Sequence, residues 1–168
     1  NIYAVSVKTG KRTLLGNGEG WHNAKLSGSG NYILDNYSTP TVPRRIEIVQ
    51  TTKAKAVSYF QAKDPWMGYS IPQFSCGTIK AADGVTDLYY RMVKPADFDP
   101  NKKYPTVVYV YGGPHAHNVD ARWHYSSRGW ESYMAGKGYI TFILDNRGSE
   151  HRGKDFEQAT FHQLGQEE

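Results

Sequence analysis

Residues 106–114, Thr106-Val107-Val108-Tyr109-Val110-Tyr111-Gly112-Gly113-Pro114, decide the fold class. The β-branched and aromatic run Thr106 to Val110 has no polar alternation, which predicts a strand buried on both faces. It stops abruptly at Tyr111. In open α/β sheets ligands sit beyond the carboxyl ends of the strands, where Tyr111-Gly112-Gly113-Pro114 falls. The turn has two readings. It is either a β-to-α turn in which glycines relieve strain and Tyr111 is partly buried, or a loop that passes close to a reacting group and aims a donor at a developing oxyanion.

Downstream, Trp130, Tyr133 and Met134 at helical spacing predict a helix over about Ser126 to Lys137, with Gly138 as its stop. Tyr139 to Leu144 is a second buried strand, followed by the loop Asp145-Asn146-Arg147-Gly148-Ser149. Strand, loop, helix and strand in that order give a parallel βαβ unit. Phe156, Ala159, Gln163 and Leu164 suggest one face of a closing helix over Asp155 to Glu168.

Upstream, Phe74 to Lys80 and Thr86 to Lys94 are strands joined by the hairpin signal Ala82-Asp83-Gly84, and Pro95 to Pro100 is a loop. Asp64 to Pro72, with two prolines and a glycine, is read as a connection between domains. Before it come three antiparallel hairpins: Ile2 to Leu15 around Gly10, Trp21 to Tyr37 around Ser27-Gly28-Ser29-Gly30, and Arg44 to Phe60 around Thr51 to Ala54. Repeated hairpins suggest a meander, a sandwich or the end of a propeller, but they are too few to close a propeller. The chain opens at Asn1 already in strand pattern and ends on an uncapped helical face. It is read as a slice of a longer protein.

Composition narrows the class. The 168 residues are 39% hydrophobic and 21% charged, enough to bury a core, and 14% aromatic, which argues against disorder. The net charge of +4 is scattered among acidic residues instead of forming a stripe, which argues against a nucleic-acid partner. No window approaches the ~18 apolar residues of a membrane span. The single cysteine, Cys76, forbids an internal disulfide and a cysteine-rich zinc site; it is read as an inert buried thiol. His115-x-His117 lacks a third ligand, so these are read as loop histidines and no metal is expected. Trp21 and His22 are read as packing residues.

Phe98-Asp99-Pro100-Asn101-Lys102-Lys103-Tyr104-Pro105, Val110-Tyr111-Gly112-Gly113-Pro114, Leu144-Asp145-Asn146-Arg147-Gly148-Ser149 and Leu164-Gly165 together resemble the prolyl oligopeptidase family of serine peptidases, in its dipeptidyl peptidase IV branch. Gly20-Trp21-His22-Asn23 and its hairpins look like the last blades of that family's propeller. The resemblance implies a mixed α/β fold: residues 1–63 are the C-terminal strands of a β-propeller, 64–73 the linker, and 74–168 the N-terminal part of an α/β-hydrolase domain. It implies a parent that releases N-terminal dipeptides through an acyl-enzyme, with a peptide as substrate, no cofactor, a homodimeric assembly and an exported or periplasmic location. The family's oxyanion-hole role falls on Tyr111, with Gly112, Gly113 and Pro114 shaping the loop.

Asp145 and Arg147 are expected to brace that loop. Glu167-Glu168 is similar to the family's substrate-amine glutamates, but those lie in the propeller, so here the pair is read as a solvated helix end. The chain contains no Gly-x-Ser-x-Gly; Gly148-Ser149 and Gly28-Ser29-Gly30 both fail the spacing. The nucleophile, acid and histidine are therefore expected outside these residues, and the chain alone is expected to be inactive. Bare strand edges would favour self-association. Two alternatives stay open: another hydrolase of the superfamily (an acylaminoacyl peptidase, oligopeptidase or esterase), or a non-catalytic β-rich interaction module.

Overall fold

Short alternating segments punctuated by glycine become antiparallel strands because alternation buries one face and glycine turns the chain. In the computed structural model, which describes residues 1–168, β1 (Ile2–Val5) and β2 (Arg12–Leu15) form a hairpin around Gly10, whose φ is +69°. Four further strands, β3 (Trp21–Leu26), β4 (Tyr32–Thr39), β5 (Val42–Gln50) and β6 (Lys55–Gln61), pair in sequential order as an antiparallel meander. These strands belong to the first of two units, Asn1–Met67 with Ala121–His124.

One face of the meander carries its core. Leu15, Ile33 and Val49 are buried together, with Ile2, Ala54 and Ala56 against them. The same face also buries Asp35 and Glu47, which lie directly across from each other on β4 and β5. Like charges so placed repel unless other groups compensate them. His22 Nδ1 approaches Asp35 Oδ2 at 2.7 Å, while Asn17 Nδ2 donates to both Glu47 oxygens at 2.7 Å and Arg45 lies 3.4 Å from one of them. His22 is thus a hydrogen-bond partner of Asp35 as well as a packing residue. It also lies against Tyr37, with ring centroids 4.8 Å apart. Burial, and then the neighbouring Glu47, push the Tyr37 phenol pKa up. Residues 121–124 complete this unit: Trp123 N–H donates to Ser38 Oγ at 2.9 Å and the Arg122 guanidinium lies over Trp21.

The second unit, Gly68–Asp120 with Tyr125–Glu168, is built on β7 (Gln73–Lys80), β8 (Asp87–Lys94), β9 (Thr106–Val110) and β10 (Ile140–Asp145) in the order β7-β8-β10-β9. β8 is antiparallel to β7 and β10, and β9 runs parallel to β10 through the crossover helix α1 (Gly129–Gly136). Across the whole chain most strand pairs are antiparallel and helices are few. Gly138, at φ +84°, ends α1: its N–H bonds Ala135 O at 3.0 Å and Tyr139 N–H bonds Met134 O at 3.1 Å. Glycine bears that left-handed turn without the Cβ penalty.

Several expectations are corrected here. β9 is not buried on both faces: it is an outer strand, and Val108 and Val110 are exposed. The central strand is β10, where Thr141 and Ile143 are fully buried. α1 starts only at Gly129, because Ser126 has a φ of +62° and Arg128 is extended. Its buried residues are Glu131 and Ala135, whereas Trp130 and Tyr133 are exposed. Glu131 can be buried because Arg91 of β8 meets it with two hydrogen bonds, at 2.7 and 3.0 Å. Cys76 is exposed, since β7 is the other outer strand. The closing helix shortens to α2 (Lys154–Gln158), and His162, at φ +58°, turns the chain away and leaves Phe161 and Leu164 exposed.

Candidate active site

Because β9 and β10 are parallel with Val110 opposite Leu144, their carboxyl ends lie side by side and release two loops at one rim of the sheet. The first loop begins with Tyr111, whose residue surface is 60% exposed. Gly112 follows in the left-handed region at φ +67°. The Tyr111 ring folds back over Gly113: a Cβ built there would sit 3.2 Å from Tyr111 Cε1. The small residue at 113 therefore leaves the phenol room on an open rim, while the glycine at 112 serves the left-handed backbone.

The second loop, Asp145 to Ser149, laces itself to the first. Gly112 N–H donates to Asn146 Oδ1 at 3.3 Å, His115 N–H to Gly148 O at 2.9 Å, and Glu150 N–H to Ala116 O at 3.1 Å. The fully buried Asp145 carboxylate accepts from Asn118 N–H at 2.8 Å, Asn118 Nδ2 at 3.2 Å and Val119 N–H at 3.0 Å, with Arg152 Nη2 at 3.5 Å. Three donors and a guanidinium compensate the loss of water around this charge. Arg91, beyond its pair with Glu131, donates Nη1 to the carbonyls of Asn118 and Tyr125.

Arg147 meets Asp83 at 3.1 Å and the Glu167 carboxylate at 3.2 Å, and donates Nε to Glu167 O at 2.7 Å. Glu167 is thus the partner of an arginine and not a solvated helix end. Hydrogen bonds from the Thr86 side chain and backbone, with a smaller pull from Arg147, lower the Asp83 pKa to about 2. His117 lies 3.9 Å from Asp145 and packs edge-on against His151. Burial, then Arg152, lower its pKa, outweighing the opposing influence of Asp145. His115 instead faces Glu150 and Glu157 at 3.9 and 3.8 Å. The two histidines therefore do not converge, and no group of three or more His, Cys, Asp or Glu side chains is arranged to hold a metal ion.

An open cleft of about 320 Å³ adjoins the first loop, lined by Pro114, His115, Glu157, Thr160, Phe161 and His162. Ser149 is fully buried with no partner for its hydroxyl, while Ser29 lies in an exposed hairpin turn. Arg91, Glu131, Asn118 and Arg152 belong to the constellation but carried no motif, and Asn146 lay in the Leu144–Ser149 segment with no role of its own. The signal that could have found Asn146 is its place just past the end of the second buried strand.

The rim therefore offers a phenol on an open loop, with a glycine pair beneath it and a buried polar scaffold behind. Residues 123–168 match the model of the prolyl oligopeptidase family. The likeness extends over nearly the whole chain: it is 30% identical over 98% of its length to dipeptidyl peptidase 4 of Trichophyton equinum, and 30% identical over 99% to human dipeptidyl peptidase 8. Among solved structures, the protein described as a dipeptidyl aminopeptidase IV from Bacteroides ovatus is 51% identical with a TM-score of 0.90 over 97% of the chain. Dipeptidyl peptidase 4 of Porphyromonas gingivalis is 30% identical with a TM-score of 0.86 over 97%. The family's pattern thus lies in residues 123–168, while the chain along nearly its whole length is similar to dipeptidyl peptidases, of which it spans only 19–24%.

Proposed function

We propose that the chain is the part of a dipeptidyl-peptidase-type serine peptidase that joins the last strands of a β-propeller, residues 1–63, to the start of an α/β-hydrolase domain, residues 74–168, through the linker 64–73. In this reading Tyr111 donates its phenolic hydroxyl to the oxyanion of the tetrahedral intermediate. A serine attacks the scissile carbonyl, the C=O oxygen gains negative charge, and a neutral donor already aimed at that point strengthens as the charge appears. Collapse expels the amine and leaves an acyl-enzyme, which water hydrolyses. The nucleophile, its histidine and its acid come from other parts of the full-length protein, and a backbone N–H beside the nucleophile supplies the second donor. Asp145 braces the two loops against each other, and Arg147 ties the second loop to Asp83 and Glu167.

The observation that carries the reading is the open position of Tyr111 at the carboxyl rim of parallel strands β9 and β10. Tyr111→Phe in the full-length protein, assayed on a chromogenic Xaa-Pro dipeptide substrate, is expected to lower kcat by about 10²–10³-fold, the loss typical of one oxyanion donor. Unchanged kcat would exclude the assignment.

A further inference from the structure

Building on the reading of Tyr111 as oxyanion donor, we propose that Asn146 is the residue that positions it. The parallel ladder ends with Leu144 opposite Val110, so two residues further on Asn146 stands beside Gly112. Gly112, at φ +67°, has left the extended conformation, and its N–H is taken by the side-chain amide oxygen of Asn146 at 3.3 Å. The side chain thus adds one more rung where the strands diverge. Its other end is fixed as well: Nδ2 donates to Arg147 O at 2.6 Å, and the residue is buried, at 3% exposure. Both polar ends of the amide are used, which holds it in one orientation.

Tyr111 then lies between two pinned neighbours, Val110 in the ladder and Gly112 on Asn146. Its hydroxyl has no partner within the chain to hold it, so the placement of the phenol follows from its backbone and from contact with Gly113. Small rotations at Gly112 are magnified at the far end of the ring, and a misplacement of about 1 Å costs about 10²-fold in rate. The next anchor, His115 N–H to Gly148 O, lies beyond Gly113 and Pro114 and leaves Gly112 free to turn without Asn146. Aspartate at 146 could accept the same N–H, but it could not donate to Arg147 O and would set a carboxylate beside a site of developing negative charge.

A double-mutant comparison in the full-length protein tests this. Asn146→Ala is expected to lower kcat on a chromogenic Xaa-Pro dipeptide by about tenfold to a hundredfold while KM changes little, because the interaction is expressed in the transition state. In a Tyr111→Phe background the same substitution should cost nothing further, since no hydroxyl remains to be positioned. An Asn146→Ala loss of equal size in both backgrounds, or no loss in the first, overturns the inference while leaving the donor role of Tyr111 intact. Tyr111→Phe with unchanged kcat removes the donor role and this inference with it. Should Asn146→Ala fail to fold, Asn146→Leu, which keeps the volume, removes both amide bonds and adds no charge, carries the same pair of measurements: a loss confined to the Tyr111 background supports the inference, and an equal loss in both overturns it.

Discussion

The turn between β3 and β4 and the loop after β9 are both exposed and rich in glycine, yet they are held in opposite ways. The N–H groups of the first are met within the turn: Ser27 N–H bonds Tyr32 O at 2.8 Å, Gly30 N–H bonds Ser27 O at 2.9 Å, and Tyr32 N–H reaches Ser27 Oγ at 3.2 Å. From outside, Thr51 alone reaches it, donating Oγ1 to Gly30 O at 2.8 Å and its N–H to Asn31 O at 3.0 Å. The second is held by groups 26 to 34 residues away, on the Asp145–Asn146 segment. A turn whose own N–H groups find acceptors locally takes most of its shape from itself. A loop held by its neighbour has the shape its neighbour gives it, and that is how two loops can keep one side chain in a defined place.

The sharpest way to break this contrast is Asp145→Ala. It leaves two backbone N–H groups, the Asn118 amide and Arg152 without their buried acceptor, and should destabilise the second unit by about 3–5 kcal/mol in urea unfolding. No substitution in the 27–32 turn should approach that cost.

Matched glycine substitutions test the contrast next. Gly30 and Gly112 have φ of +72° and +67°, and neither would meet an atom within 4 Å of an added Cβ. Gly30→Ala and Gly112→Ala should therefore each cost about 1–2 kcal/mol of stability through backbone strain alone. Only Gly112→Ala should also lower kcat of the full-length protein. Equal kinetic effects would erase the functional distinction between the loops.

The smallest expected effect is a dependence on pH. His117 has a folded-state pKa below its unfolded value of 6.5, so the unfolded chain binds more protons in the acidic range. Stability is then fully present above about pH 6.5 and is lost as pH falls from there toward the folded-state pKa. Amide exchange across 115–119 should accelerate as pH drops through this window, after correction for intrinsic rates, and His117→Gln should remove the excess. The β3–β4 turn, which contains no histidine, should show no such excess.

The same distinction between near and distant partners explains what was legible in the sequence. The hairpins, the Asp83-Gly84 turn, the βαβ order and the stop at Gly138 rest on local chemistry and were readable from periodicity and turn residues. The rim position of Tyr111 followed from the abrupt end of one strand. Glu131 was not readable as a buried residue, because its charge is tolerated only through Arg91, 40 positions earlier. The exposure of β9 depends on strand order, which a hydrophobic run does not encode. The Asn146–Gly112 bond depends on the register of two strands separated by a helix. The short α2 reflects the left-handed turn at His162, where apolar spacing had suggested a longer helix.

Arg91 has a further consequence. Its guanidinium grips the carbonyls of Asn118 and Tyr125, so the stretch between them leaves and returns through a single knot. A protease nick anywhere from Val119 to His124 would leave both new chain ends tied to the same arginine. Extra residues inserted there would have to be absorbed between those two carbonyls, because the stretch is cinched at its base and the slack cannot be passed along to β8 or α1.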